Sequence, residues 1–300
     1  MRVLLVVPAL AIVTVILIPV QWMALLLDLP LQRHLPVFYH RLVCRLIDAR
    51  VRVVGRRVDG HPLMIVSNHV SWLDISVITS VAPVVFIAKS EVARWPLFGL
   101  LAKLQRSVFV DRSKRHKTAD VNARIGKRLA GGDPVVLFGE GTSSDGNRVL
   151  PFRTALIGAA GDALAKADHA DRVWLQPMSL AYNGLLGLPL GRQHRPIVAW
   201  YGDFAMFPHL AGVLRRGGVD VTLTWGDPVP YDAASDRKAV ARELEQRVRR
   251  LTTEALRNRM AAQDIHGDPV AESPRSPATT GLRRRFGALP AFPFRPKRTM

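Results

Sequence analysis

The stretch IVSNHVSWLDIS, residues 65–76, ends an apolar strand-like run on a polar step and then restarts as an apolar segment carrying one acid, Asp74. Leu63–Val66 reads as a strand, and the segment from Ser71 reads as a helix. His69 and Asp74 therefore flank a strand-to-helix junction, a setting with two physical readings. In the first, Ser71-x-x-Asp74 is a capping box, with Ser71 as N-cap and Asp74 at the third helical position. A carboxylate there also suits the positive end of the helix dipole, for about 1 kcal/mol. In the second, the pair moves a proton. Residues five apart on one continuous helix point about 140° apart, but a His69 lying before the helix can fold back over its first turn. Asp74 would then accept the proton on one ring nitrogen and leave the other as a base. That is the orienting half of a catalytic triad with no built-in serine, so the nucleophile, a hydroxyl, would arrive with the substrate. The two readings are compatible: Ser71 starts the helix and Asp74 uses that start to hold His69.

Working outward, short β-rich runs recur at Val51–Val54, Leu63–Val66, Val84–Ala88, Ser107–Val110, Val135–Phe138, Trp174–Leu180, Ile197–Tyr201 and Val219–Trp225. Helical patterns at Lys117–Ala130 and Thr154–Ala167 alternate with them. Several strands are apolar almost throughout, as in a sheet covered on both faces. The expected class is α/β, a mixed, mostly parallel sheet flanked by helices. A last helix begins after Ser235, its expected cap, with Val240, Leu244, Val248, Leu251 and Ala255 as its apolar stripe. From about residue 266 the chain is basic and rich in proline, and buries too little to offset its ordering entropy.

Lys and Arg number 42 against 24 Asp and Glu, a net charge of +18. Such a surface seeks polyanions, nucleic acid or anionic lipid. The N-terminus favours lipid. Residues 3–27 carry no charge, and about 25 residues reach roughly 37 Å as a helix, enough to cross a bilayer core. Pro8 and Pro19 leave open whether this is one span or two re-entrant segments. Seven arginines, from Arg33 to Arg57, follow the run and only Arg2 precedes it, which places the body on the cytoplasmic side of a bacterial-type inner membrane. Leu35, Phe38, Tyr39, Leu42, Val43 and Leu46 then repeat at helical spacing. This stripe is compatible with a core-facing helix and with one lying on headgroups. The single Cys44 excludes an internal disulfide.

Asn68-His69-Val70-Ser71-Trp72-Leu73-Asp74 resembles the N-H-x-x-x-x-D signature of the glycerolipid acyltransferases, the lysophosphatidic acid acyltransferase family. Further blocks follow in that family's order: FIAKSEVARWPLFG from Phe86, SVFVDRSK from Ser107, VVLFGEGTSSDGNRVLPF from Val135 and VWLQPMSLAY from Val173. The resemblance covers roughly residues 60–225. It implies that His69 deprotonates an acceptor hydroxyl, that Asp74 orients His69, and that the hydroxyl attacks an acyl thioester. The implied donor is acyl carrier protein or acyl-CoA, the acceptor a lysolipid, with no cofactor and no metal. Backbone N–H groups of the helix after Ser71 are candidates for the oxyanion.

In the third block, the loop with Glu140, Gly141, Thr142 and Ser143 would handle the headgroup, its glycines letting backbone N–H groups approach an anion. Glu140 would orient Thr142 or a basic neighbour, and Arg112 would hold a phosphate or carboxylate. Two positions depart from the family: Gly139 replaces a proline, and Ser143 replaces the arginine usually assigned to the phosphate of lysophosphatidate. The wording here resembles most closely the bacterial lyso-ornithine lipid acyltransferases, whose acceptor is a 3-hydroxy fatty amide with a zwitterionic headgroup. Lysophosphatidate is the alternative acceptor.

On this reading residues 1–30 are a membrane anchor, 31–58 an amphipathic juxtamembrane segment, 59–265 the acyltransferase domain and 266–300 a disordered basic tail. A nucleic-acid binder would interleave aromatics with its basic residues, and this chain does not. A serine hydrolase would need a G-x-S-x-G elbow, which is absent. A non-catalytic, membrane-tethered basic protein would leave the ordered blocks without an explanation.

Overall fold

The computed structural model describes residues 2–59, 62–111, 118–153, 157 and 172–257. Arg112, nearly all of the expected helix at Thr154–Ala167, and the tail lie outside the described residues. Two antiparallel helices open the chain, α1 (Arg2–Leu26) and α2 (Leu31–Ile47). The rest is α/β: β1 (Ala49–Val54), β2 (Leu63–Ser67), α3 (Leu73–Val81), β3 (Val85–Lys89), α4 (Phe98–Leu104), β4 (Val108–Val110), α5 (Thr118–Ala130) and β5 (Val135–Phe138). After them come β6 (Val173–Leu185), β7 (Leu188–Pro189), α6 (Met206–Arg216), β8 (Val219–Trp225), β9 (Val229–Tyr231) and α7 (Arg237–Arg257).

The strands form one sheet in the order β1-β8-β6-β2-β5-β3-β4, with β7 and β9 also paired to β6. Strands β6, β2, β5, β3 and β4 are mutually parallel. β8 runs antiparallel to β6 and parallel to β1. The period-2 pleat sends alternate side chains to opposite faces. Ile65, Val136 and Phe138 join Leu73, Val77 and Ile78 on one face. Met64, Val66, Val135 and Leu137 meet Ile125, Leu129, Leu244 and Val248 on the other. Both faces are covered, which is why β2 and β5 are buried at every residue.

The carboxyl ends of the parallel strands share one edge of the sheet, and the turns after β2 and β5 meet there. In open α/β sheets that edge is where ligands bind.

Two local expectations change, and one left open is decided. Ile197–Tyr201 is not a strand: Arg195–Ile197 forms a 3-10 turn with proline near its start. The buried Val198 and Ala199 both bond to Arg195 O, and Trp200 N bonds to Val70 O. Its apolar character comes from lying against the 69–71 loop, not from a ladder. Ser235 does not cap α7: its Oγ turns back to Asp232 Oδ1 at 2.8 Å, and Asp236 Oδ1 accepts from Lys238 N at 2.8 Å. An acid next to the serine captured the cap. Finally, α2 is core-facing, packing Val37, Val43, Cys44 and Ile47 inward while Phe38 stays exposed. β1 follows it directly as an edge strand hydrogen-bonded to β8.

α1 is one continuous helix despite Pro8 and Pro19, and it is the only described helix long and apolar enough to cross a membrane. It does not stand free of the body. Arg2 reaches Leu46 O at 3.5 Å and lies 3.7 Å from an Asp48 oxygen. Thr14 Oγ1 and Tyr39 Oη are 2.9 Å apart. Gln21 Nε2 donates to Gln32 O at 3.0 Å and Leu104 O at 2.9 Å. One narrow stripe, including Val6, Thr14, Gln21 and Ala24, is thus buried against the body. Leu5, Ile12, Val15, Ile16, Trp22 and Met23 point outward. Replacing Gln21 with alanine strands two buried carbonyls, so Gln21→Ala should cost about 1–3 kcal/mol in denaturant titrations of the detergent-solubilised protein. An unchanged midpoint would show that α1 is not held by this bond pair.

Candidate active site

β2 ends at Ser67, and Asn68 then extends its pairing with β6 through its side chain. Oδ1 accepts from Leu180 N at 2.8 Å and Nδ2 donates to Leu180 O at 2.9 Å. The chain turns over the next three residues, and every backbone polar group in the turn is bonded. His69 N donates to Glu140 Oε1 at 2.9 Å, and His69 O accepts from Ser144 N at 2.8 Å. Val70 O accepts from Trp200 N at 2.9 Å and Ser71 O from Asp74 N at 3.1 Å. Asp74 Oδ2 takes the amides of Val70 and Ser71 at 2.7 and 3.1 Å.

Asp74 is fully buried. Besides those two amides, Oδ2 lies 2.7 Å from His69 Nδ1, and Oδ1 accepts from Tyr182 Oη at 2.6 Å. A carboxylate only accepts, so the proton on this contact belongs to Nδ1 and the lone pair belongs to Nε2. Nε2 has no protein partner among the described residues. The imidazole is stacked on Phe138, with ring centroids 4.0 Å apart and planes 16° apart. Orientation is therefore fixed twice, by the acid at one nitrogen and by the ring beneath.

The capping box is only half made. Asp74 reaches back to the Ser71 amide, but Ser71 Oγ is buried without a partner, and the helix proper begins at Leu73. Because Asp74 consumes the amides of Val70 and Ser71, these are not free to receive an oxyanion.

Glu140 enters through a turn after β5, closed by Gly141 N donating to Phe138 O at 3.0 Å. Gly141 adopts φ +70°, a conformation glycine takes without steric cost. Glu140 does not orient Thr142. Its two oxygens accept from His69 N and from Leu150 N at 3.1 Å, stapling the β5 turn to the histidine loop. Burial pushes its pKa up to about 8, with the charge of Asp74 adding and the two amides opposing. Thr142 is exposed and Ser143 half-buried beside it.

The replacement of proline by Gly139 has a steric cause. A Cβ at 139 would sit 2.6 Å from the Phe152 ring, and Gly139 N donates to Ser67 O at 2.9 Å, a bond proline cannot make.

Tyr182, Ser144 and Phe138 were not singled out from sequence, and Asn68 stood only as the first position of the signature. Tyr182 was the most legible, since it lies two residues past Leu180 on β6 and so faces the same core. Burial, then Asp74, raises its pKa well above the usual phenol value, so it remains a donor. Among the described residues no group of three or more His, Cys, Asp or Glu could hold a metal ion.

Asp74→Asn should keep the fold yet release the imidazole tautomer, lowering kcat by about 10³-fold or more, by analogy with triad acids. Tyr182→Phe should cost a milder amount, about 1 kcal/mol of stability, with kcat reduced several-fold. Comparable kcat for Asp74→Asn and wild type would limit Asp74 to the helix start. Glu140 gives a separate, pH-dependent test. Its folded pKa lies above the ordinary carboxyl value of 4.5, so its stabilising contribution is lost as pH rises toward and through about 8. His40, lowered to about 4 chiefly by burial, opposes it only below the ordinary imidazole value of 6.5. Between neutral and mildly alkaline pH the thermal midpoint should therefore fall, and Glu140→Gln should flatten that slope.

Comparison with known proteins agrees with this geometry. Residues 50–181 match the family described as Acyltransferase. The chain is 50% identical to the lyso-ornithine lipid O-acyltransferase of Brucella abortus, across 86% of this chain and 96% of that one. With its namesake in Rhizobium meliloti it shares 48% identity, across 87% and 89%. The 1-acyl-sn-glycerol-3-phosphate acyltransferase of Neisseria gonorrhoeae is 39% identical, but over 38% of this chain and 45% of that one. The solved 1-acyl-sn-glycerophosphate (LPA) acyltransferase of Thermotoga maritima shares the fold, with a TM-score of 0.50 at 21% identity, covering 73% of this chain and 77% of that one. A histidine held by a buried acid at the carboxyl edge of the sheet, in a chain half identical to named acyltransferases over most of its length, makes this protein a member of the glycerolipid acyltransferase family and an enzyme that transfers acyl groups.

Proposed function

We propose that the protein acylates the free hydroxyl of lyso-ornithine lipid, using a fatty acyl thioester of acyl carrier protein or coenzyme A. The observation that carries the chemistry is the engaged Nδ1 and open Nε2 of His69. Nε2 takes the proton of the acceptor hydroxyl as its oxygen bonds to the thioester carbonyl carbon. The tetrahedral oxyanion then collapses, the C–S bond breaks, and the proton on Nε2 passes to the departing thiolate. Asp74 stabilises the transient imidazolium through the 2.7 Å contact.

The acceptor assignment follows the two relatives at 50% and 48% identity, both lyso-ornithine lipid O-acyltransferases covered nearly end to end. Ser143 is consistent with it. With no arginine after Gly141-Thr142, the loop carries one cation fewer for a phosphomonoester than the family pattern. In this reading Gly141, Thr142 and Ser143 line the headgroup, and Arg112, which lies outside the described residues, is a further cation for it. Glu140 acts as a positioning residue through the His69 amide. The outward face of α1, docked along its length, supports a helix seated in the membrane interface rather than one crossing it alone. The arginines after α1 favour the cytoplasmic side and an anionic bilayer, and the net charge of +18 suits an acidic carrier protein as donor.

The test offers lyso-ornithine lipid and lysophosphatidate in parallel to the detergent-solubilised protein, with labelled acyl carrier protein and coenzyme A thioesters. His69→Ala serves as the blank. Lyso-ornithine lipid should be acylated at least about tenfold faster, a transition-state difference of about 1.4 kcal/mol. Preference for lysophosphatidate would reject the acceptor assignment, and turnover by His69→Ala near wild type would reject the mechanism.

A further inference from the structure

The turn between α5 and β5, far along the sheet from His69, is ringed by more positive charge than it neutralises. Asp133 is 5% exposed. Arg106 Nη1 and Nη2 donate to its two oxygens at 2.9 and 2.8 Å. Arg33 Nε lies 3.2 Å from Oδ1, and its Nη2 donates to Gly131 O at 2.7 Å. Arg128 Nη1 stands 3.8 Å from Oδ2. Three guanidiniums thus share one carboxylate, and among the described residues no second acid lies within 4.0 Å of any of them. The carbonyl end of α5 adds a partial negative charge of about one half, which leaves an excess of roughly one and a half positive charges.

At Arg128 that excess adds to the effect of burial. Burial lowers the pKa of Arg128, and the charge of Arg106 lowers it further, against the opposing pull of Asp133. Purely structural neutralisation of Asp133 would need one arginine, already bidentate in Arg106. Yet Arg33 and Arg128 keep 42% and 36% of their side chains exposed, open to an outside ligand.

The neighbourhood names the ligand. Arg33 lies one turn past the α1–α2 connection, where Leu26, Leu27, Leu29 and Leu31 are all exposed and continue the outward apolar face of α1. Asp28, the acid at that connection, accepts from Gln32 Nε2 at 2.6 Å. The excess charge therefore sits where an apolar surface ends, the depth at which a bilayer places its phosphates. Guanidinium forks match phosphate oxygens two at a time. We propose that Arg33 and Arg128 bind the phosphate of an anionic membrane phospholipid, with Asp133, held by Arg106, as the spacer that keeps the two guanidiniums in place. The site is separate from the acceptor headgroup pocket and rests on the reading that α1 lies against the bilayer.

The experiment is co-sedimentation of the full chain with vesicles of phosphatidylcholine alone or with a minor fraction of phosphatidylglycerol. Arg128→Gln is the first variant, since its 3.8 Å link is the loosest in the cluster. Arg250→Gln, on the exposed face of α7, removes the same charge elsewhere. Thermal midpoints in neutral detergent check folding, and Arg33→Gln substitutes if Arg128→Gln fails to fold. Wild type should bind anionic vesicles about tenfold more tightly than neutral ones, Arg128→Gln should lose most of that gain, and Arg250→Gln should keep it. Equal behaviour of the two variants would overturn the site in favour of diffuse charge. Inorganic phosphate that stabilises wild type but not Arg128→Gln, with no vesicle preference, would overturn the lipid assignment and leave a soluble phosphate as ligand. Failure of wild type to bind either vesicle would overturn the membrane reading, and the site with it.

Discussion

One buried carboxylate organises the carboxyl edge of the sheet. Asp74 is fully buried, and an ion taken out of water is costly unless its lone pairs are filled. Four donors fill them: the His69 ring, the Val70 and Ser71 amides and the Tyr182 hydroxyl. Those donors come from two places, the turn after β2 and the far half of β6. The carboxylate is satisfied only when β6 lies beside β2 in the observed register, with Asn68 bridging to Leu180. The geometry of the His69–Asp74 pair and the sheet pairing are therefore one constraint, and the imidazole cannot relax without exposing an unpaired charge to the core.

The same economy governs the turn itself. Glu140, Ser144, Trp200 and Asp74 between them saturate every amide and carbonyl from His69 to Ser71. Three separate chain segments contribute, so a flexible-looking loop is as fixed as the strand that feeds it. The histidine then has one free atom, Nε2, aimed by the carboxylate on its other side and by the Phe138 ring beneath.

A second constraint shapes the outer surface. α1 is apolar on all sides but offers Thr14 and Gln21 along one stripe, and those two polar side chains dock it to α2 and α4. A helix fastened at both ends keeps its remaining apolar face outward. Arginines gather at the end of that face, around Asp133. The chain presents apolar surface and positive charge side by side, as membrane interfaces require.

The sequence by itself determined the α/β class, the helix and strand periods, and the pairing of His69 with Asp74, because these depend on local spacing and on a junction only seven residues long. It also marked Gly139 and Ser143 as departures from a family pattern. Only the tertiary structure decided that Gly139 makes room for Phe152, that Glu140 grips the His69 amide rather than Thr142, and that Tyr182 completes the acid's shell. It also turned Ile197–Tyr201 from an apparent strand into a buried turn and docked α1 along the body. Each of these rests on contacts between residues 10 to 130 positions apart, whose partners no local pattern names. Periodicity reports which side of an element is buried; what it is buried against is set by the order of strands in the sheet.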